Sequence, residues 1–240
     1  MAGLVPAIHV FTFAGSEDLD ARHRQANRRR SSNGYGPGVT EQSLNLPSEK
    51  AEDSKARLRR EALTRRDALP AEMRKAAAEA IAARAFPLAV VAGAIVSGFI
   101  PLKSEINPLP LMHKLADAGA RLALPVVAGR GKPLIMRGWQ WNEPLVPGIR
   151  GIREPGPAAA TVEPDIVLVP LLAFDRSGHR IGYGAGYYDL TITQLRAKKP
   201  IAAVGIAFAA QEIETVPRTA FDAQLDLVLT ENETIDLRNA

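Results

Sequence analysis

The stretch 166-IVLVPLLAFDRSGHRIGYGAGYYDLT-191 opens on a continuous apolar run, crosses a loop of alternating glycines and enters a helix near Tyr187. A strand that is apolar at every position is buried on both faces, the habit of parallel sheets covered by helices. Strand, glycine loop and helix is also the order in which phosphate cradles are built. Glycine lets backbone approach a ligand closely, and the free N–H groups of a helix start favour an anion. Three of the chain's four tyrosines, Tyr183, Tyr187 and Tyr188, stand among these glycines. On residues alone the loop is either a phosphate cradle or a tight structural turn.

Outward from this stretch, apolar runs over 90–99, 121–127, 133–139, 166–172, 202–208 and 226–230 read as strands, with helical segments near 107–119 and 186–198. The alternation predicts an α/β fold: a largely parallel sheet flanked by helices on both faces. Upstream, residues 48–86 are rich in Ala, Leu, Arg and Glu, good helix formers. Leu58, Ala62 and Leu63 form an apolar stripe, and Pro70 divides the run into two helices. Ser48 or Ser54 is expected to cap the first, and Leu69-Pro70-Ala71-Glu72 to open the second. Residues 1–48 show no sustained period and predict a disordered arm, or a start codon placed too far upstream, ahead of a single α/β domain over 49–240. The arm's Arg28-Arg29-Arg30 run fits a solvated charge run better than a nucleic-acid or targeting handle.

Composition removes several classes. The chain has no cysteine, so disulfides, thiolate zinc sites and cysteine nucleophiles are excluded. It contains no apolar run long enough to span a bilayer, and its mildly apolar start lacks the basic region of a signal peptide. A cytoplasmic protein without a membrane partner is expected. The net charge of +4 lies wholly within residues 1–85, where 15 Lys/Arg face 11 Asp/Glu, while 86–240 balances 15 against 15. A neutral core argues against nucleic acid as a partner.

GYGAGYYD at 182–189 matches neither GxxxxGK[ST] nor GxGxxG, so neither common nucleotide fingerprint applies. Asp189 falls in the first turn of the expected helix, where it either compensates the helix dipole or serves as a magnesium ligand beside phosphate. Asp222 and Asp226 form a second acidic pair before the last strand, more often structural than functional in such loops. Arg150 and Arg153 flank a glycine turn and divide evenly between ligand contact and plain structure. The histidines show no metal-binding spacing, and Trp139 and Trp141 suit a half-buried strand edge.

The segment 168-LVPLLAFDRSGHRIGYGAGYYD-189 resembles the signature of the 5-formyltetrahydrofolate cyclo-ligase (5,10-methenyltetrahydrofolate synthetase) family. KARLR at 55–59, FIPLKSEI at 99–106, LALPVV at 122–127, GIREP at 151–155 and FDAQLD at 221–226 accompany it in order, so the likeness spans about 50–232. It implies a three-layer fold of the NagB/RpiA/CoA-transferase kind, ATP and reduced folate as small-molecule partners, Mg2+ as cofactor, and a monomer. By the same resemblance, Lys55, Arg59 and Arg180 carry the catalytic charge. ATP lies against these three and against Gly182, Gly184, Ala185, Gly186, Tyr187 and Tyr188. The folate lies against Ile100, Glu105, Tyr183 and Tyr187, and the metal against Asp189 and Asp222.

Glu105 and the three tyrosines make sense independently. Glu105 follows a strand end, where a carboxylate can accept from the amino-substituted pterin ring, and the tyrosines offer flat faces with polar tips. Ala185, Leu190 and Phe221 depart from the residues frequent in the family, which bears on rate more than reaction type. The alternative is a folate-binding, regulatory relative of the same fold without turnover.

Overall fold

The computed structural model describes residues 47–238, so the expected arm, including Arg28–Arg30, lies outside them but for its last two positions. The helical run is divided where expected: α1 spans Pro47–Asp67 and α2 spans Ala71–Ala83, with Pro70 between. Neither Ser48 nor Ser54 is the cap; both stand inside α1, which begins at Pro47.

Strands β1 (Ile95–Ser97), β2 (Arg121–Val126), β3 (Ile135–Trp139), β6 (Ile166–Pro170), β9 (Ala202–Ile206), β10 (Leu227–Leu229) and β11 (Thr234–Asp236) form one sheet. Its order is β11-β10-β9-β6-β1-β2-β3. The five central strands pair in parallel and both edges are antiparallel. β1 is shorter than the expected 90–99 because Gly93 turns the chain at φ +84, its N–H donating to Gly119 O rather than to a ladder. Four short strands carry no legible period. β4 (Leu145–Pro147) pairs with β5 (Arg153–Pro155), and β7 (Ala173–Phe174) with β8 (Arg180–Ile181).

Burial on both faces is visible in β6. Ile166 and Leu168 pack with Ala77, Ile81, Leu111 and Leu115 of α2 and of α3 (Leu109–Asp117), while Val167 and Val169 pack with Ile192 and Leu195 of α4 (Tyr187–Arg196). The two-residue alternation of strand side chains produces this split. Helix α1 belongs to neither face. Its Ala62 packs against Leu172, Ala173, Ile181 and Val216, on the β7–β8 ribbon beyond the end of β6, with Leu58 and Leu63 alongside as the stripe predicts.

In the parallel core the chain runs outward from β1 to β2 and, on the other side, from β6 to β9 and β10. β1 and β6 are therefore neighbours at a topological switch point, and the loops leaving their carboxyl ends, 98–108 and 171–186, emerge side by side. That crevice is where open α/β sheets bind ligands.

Candidate active site

Lys55, Arg59, Ala62 and Arg66 recur at spacings of four, three and four, so α1 turns all of them to one side. That side is the inner one: Lys55 is 4% and Arg66 1% exposed, whereas neighbouring Arg65 is exposed. Lys55 Nζ donates to both oxygens of Asp222, at 2.6 and 2.8 Å. Arg59 Nε donates to Gly182 O at 3.1 Å, and its guanidinium carbon would stand 3.3 Å from a side chain on Gly184. Arg66 Nε donates to Ser104 Oγ at 3.0 Å and Nη2 to the Tyr183 hydroxyl at 2.8 Å. One helix thus touches the glycine loop and both flanking loops.

The glycine loop reaches the helix through left-handed backbone, with φ +91 at Gly184 and +68 at Gly186. Gly186 is the N-cap of α4 and supplies no side-chain acceptor, which leaves the first-turn N–H groups facing outward for other partners. Gly184 and Ala185 are exposed. Tyr187 and Tyr188 lean on the core beneath α4, and burial pushes the Tyr188 hydroxyl pKa up.

Arg180, on β8, is buried and donates to Asp189 Oδ1 at 2.8 Å and to Ala223 O. Burial pushes its guanidinium pKa down, against the opposing charge of Asp189. Asp189 Oδ1 also accepts from Ala223 N at 3.1 Å, and this backbone bond sets Asp189 beside the loop holding Asp222. For Asp222, burial works upward, but Lys55 and the Thr219 N–H outweigh it and hold the carboxyl below the ordinary range. Among the described residues no group of three or more His, Asp or Glu could enclose a metal. Carboxylates completed by phosphate oxygens and water are the donors Mg2+ accepts, but both oxygens of Asp222 accept from Lys55 and Asp189 Oδ1 accepts from Arg180, so these two could hold the ion only by exchanging those partners. A cleft of about 630 Å³ lined by His179, Thr193, Arg196, Arg218, Thr219 and Asp222 adjoins the site only through the 219–224 loop; none of Lys55, Arg59, Arg180 or the glycine loop lines it.

On the other side of Arg66 lies Glu105, 8% exposed, with Oε2 accepting from Leu102 N at 2.8 Å. Burial raises its pKa, and the Leu102 N–H, the Tyr183 hydroxyl and the Arg66 charge oppose that rise without cancelling it. Tyr183 is half exposed, its hydroxyl pushed up to about 12 by burial and by Glu105. Ile100 is half-buried against the core under α2 and α3.

Other candidates resolve into structure. Asp226 accepts from Ala203 N at 2.6 Å and from Arg196 at 2.7 Å, fixing the start of β9. Arg153 donates to Leu145 O at 2.9 Å within the β4–β5 hairpin, and the Arg150 side chain lies outside the described residues. Trp139 is buried rather than half-buried, because the edge strand that carries it is covered, while Trp141 is 36% exposed.

The model of the 5-formyltetrahydrofolate cyclo-ligase family matches residues 51–231, the span holding every side-chain contact of the site. The chain belongs to that family. It is an enzyme family of ligases that form a ring carbon–nitrogen bond. Relatives include the 5-formyltetrahydrofolate cyclo-ligase of Mycolicibacterium smegmatis, 36% identical over 74% of this chain and 93% of that protein. The protein of the same name from Escherichia coli is 32% identical over 69% and 94%. Among solved structures, the NMR structure of Aquifex aeolicus 5,10-methenyltetrahydrofolate synthetase is similar with a TM-score of 0.64 and 29% identity, covering 78% of this chain and 94% of that one. Within the family frame, Arg66 and Ser104 are the site neighbours that sequence reading missed. The 55-59-62-66 spacing was the signal that could have found Arg66.

Proposed function

We propose that this family member closes 5-formyltetrahydrofolate to 5,10-methenyltetrahydrofolate using ATP, with ADP and phosphate as products. The observation that carries the reading is the position of α1. Its Lys55 stands at Asp222, Arg59 at the glycine loop, and Arg66 at both Tyr183 and Ser104, so one helix spans the crevice between the loops after β1 and β6.

The N5-formyl oxygen is a poor leaving group. In the proposed sequence it attacks the γ-phosphorus as the bond to the ADP oxygen breaks. N10 then adds to the formyl carbon and gives up its proton, and the oxygen departs as phosphate. Such transfer needs alignment and charge screening more than a side-chain nucleophile. Lys55, Arg59, Arg180 and the N–H groups entering α4 supply the positive charge, with Gly182, Gly184, Ala185 and Gly186 giving backbone access. Glu105 accepts from the pterin ring while Tyr183, Tyr187 and Ile100 line its faces, and Tyr188 backs the loop from below. Asp189 and Asp222 would hold Mg2+, which supplies screening of phosphate charge when bound.

The test is the absorbance gain of the methenyl product with purified protein. It should require both ATP and Mg2+. No gain at saturating substrates rejects the reading, and folate binding without turnover would favour a regulatory relative instead.

A further inference from the structure

Arg66 has no role in the sequence just proposed, yet it is among the largest fully buried side chains of the described residues. We propose that Arg66 is a positioning residue for the folate side, holding the Tyr183 hydroxyl and the 98–108 loop that carries Glu105 in one arrangement from the helix that also bears Lys55 and Arg59. This rests on the reading of Glu105 and Tyr183 as pterin-facing groups.

The guanidinium is a hub. Nε donates to Ser104 Oγ, and Ser104 in turn donates to Asp67, next to Arg66 on α1. Nη2 donates to the Tyr183 hydroxyl, and the guanidinium carbon lies 5.8 Å from the centre of that ring. Nη1 is buried with no hydrogen-bond partner among the described residues. Anchoring α1 requires none of this, because Leu58, Ala62 and Leu63 already fix the helix by apolar contact. A buried ion is costly, and a spare buried donor more so. Both make sense where a ligand group or its ordered water completes the set.

Charge points the same way. The groups acting on Glu105 are Arg66 from α1, Tyr183 from the glycine loop and Tyr188 from α4. Lys103 shares its loop, and Asp67 meets the adjoining Ser104. Arg66 is the cation from another element that favours the ionised carboxyl. Eleven residues of helix separate Lys55 from Arg66, a rigid span of about 16 Å. Phosphates pulling on Lys55 and Arg59, and a pterin pulling on Tyr183 and Glu105, therefore load the same rod. Reciprocal coupling between nucleotide and folate follows.

The experiment titrates 5-formyltetrahydrofolate calorimetrically into the full chain, with and without a non-hydrolysable ATP analogue, for wild type, Arg66→Lys and Arg66→Met. Arg66→Met should weaken folate binding roughly 10- to 100-fold, the worth of a hydrogen bond to a charged group. Affinity for the analogue alone should stay within about 3-fold, and the mutual enhancement of the two ligands should vanish, a loss of about 5-fold or more. The acid limb of folate binding should move to higher pH in Arg66→Met and return toward wild type in Arg66→Lys. Unchanged folate affinity, or a loss with the acid limb unmoved, overturns the proposal. If Arg66→Met does not fold, Tyr183→Phe removes the hydroxyl that Arg66 holds; unchanged coupling between the ligands in that variant is equally fatal. Wild type that binds no folate sinks the functional reading itself, an outcome distinct from either variant result.

Discussion

Lys55 Nζ sits between the two carboxylate oxygens of Asp222 at 2.6 and 2.8 Å, joining α1 to the loop before β10 across 167 positions of chain. Both side chains are largely shielded, 5% and 18% exposed. Removing one partner of such a pair strands a charge, typically at about 3–5 kcal/mol. Thr219 N still donates to Asp222 at 2.6 Å, so Lys55→Met should fall at the low end, about 3 kcal/mol by denaturant unfolding. The pair also carries a pH signature. The Asp222 pKa is depressed in the fold, so its contribution is full above the unfolded carboxyl value and lost as pH falls through the folded one. In Lys55→Met that acid-side loss should shrink; an unaltered stability profile would show the pair contributes nothing.

Asp189→Asn separates folding from chemistry. The amide oxygen can still accept from Ala223 N and Arg180 Nη2, the two bonds that hold Asp189 Oδ1. The fold should therefore form, but the buried Arg180 loses its counter-charge, so the melting temperature should drop by roughly 6–12 °C, about 3 kcal/mol. Turnover should drop about 100-fold or more, because a neutral amide is a poor magnesium ligand beside phosphates. A wild-type rate in this variant refutes the metal role.

Gly186 and Gly151 offer a matched test of whether the glycine loop is a cradle or a turn. Both are left-handed, at φ +68 and +74, and at neither does an atom of the described residues lie within 4 Å of an added side-chain carbon. Alanine at either should cost about 1–2 kcal/mol of backbone strain. If ligand phosphates approach the start of α4, Gly186→Ala should also raise the KM for ATP by about 10-fold, the effect of roughly 1.4 kcal/mol. Gly151→Ala, in the β4–β5 turn, should leave it unchanged. Equal behaviour of the two would reduce the loop to a structural turn.

What the sequence disclosed depended on how each element is buried. β6 was legible because both of its faces are covered, which forces an apolar residue at every position from Ile166 to Val169. β4 and β5 were not, since three-residue strands ending in proline carry no period. The glycine loop announced itself by composition. Arg66 was legible only through its helical spacing from Lys55, Arg59 and Ala62; what it holds, Ser104 and Tyr183, lies 38 and 117 positions away and was not. Asp226 kept the structural role that loop aspartates before a strand more often have. Its carboxylate stands near the site in sequence but is consumed by Ala203 N and Arg196.

Glu105 gives the sharpest contrast between stability and function. Its pKa is raised above the ordinary 4.5 mainly by burial, so the native state holds the neutral form more readily than the unfolded chain does. The stability this lends is complete below the unfolded value and lost as pH rises through the folded one. At pH 7 the carboxylate is therefore a net burden on the fold. Glu105→Gln stays neutral and keeps an oxygen for Leu102 N, so it should melt higher than wild type at pH 7 and match it near pH 4. Folate binding should move the other way. An ionised carboxylate accepts from two pterin N–H groups, whereas an amide presents a donor to one of them, and the loss should be roughly 10- to 100-fold. The wild-type acid limb, placed above pH 4.5, should disappear with it. Calorimetry and thermal melts on the same two proteins measure both effects. A Gln variant that is less stable at pH 7, or that binds folate as wild type does, removes Glu105 from the site.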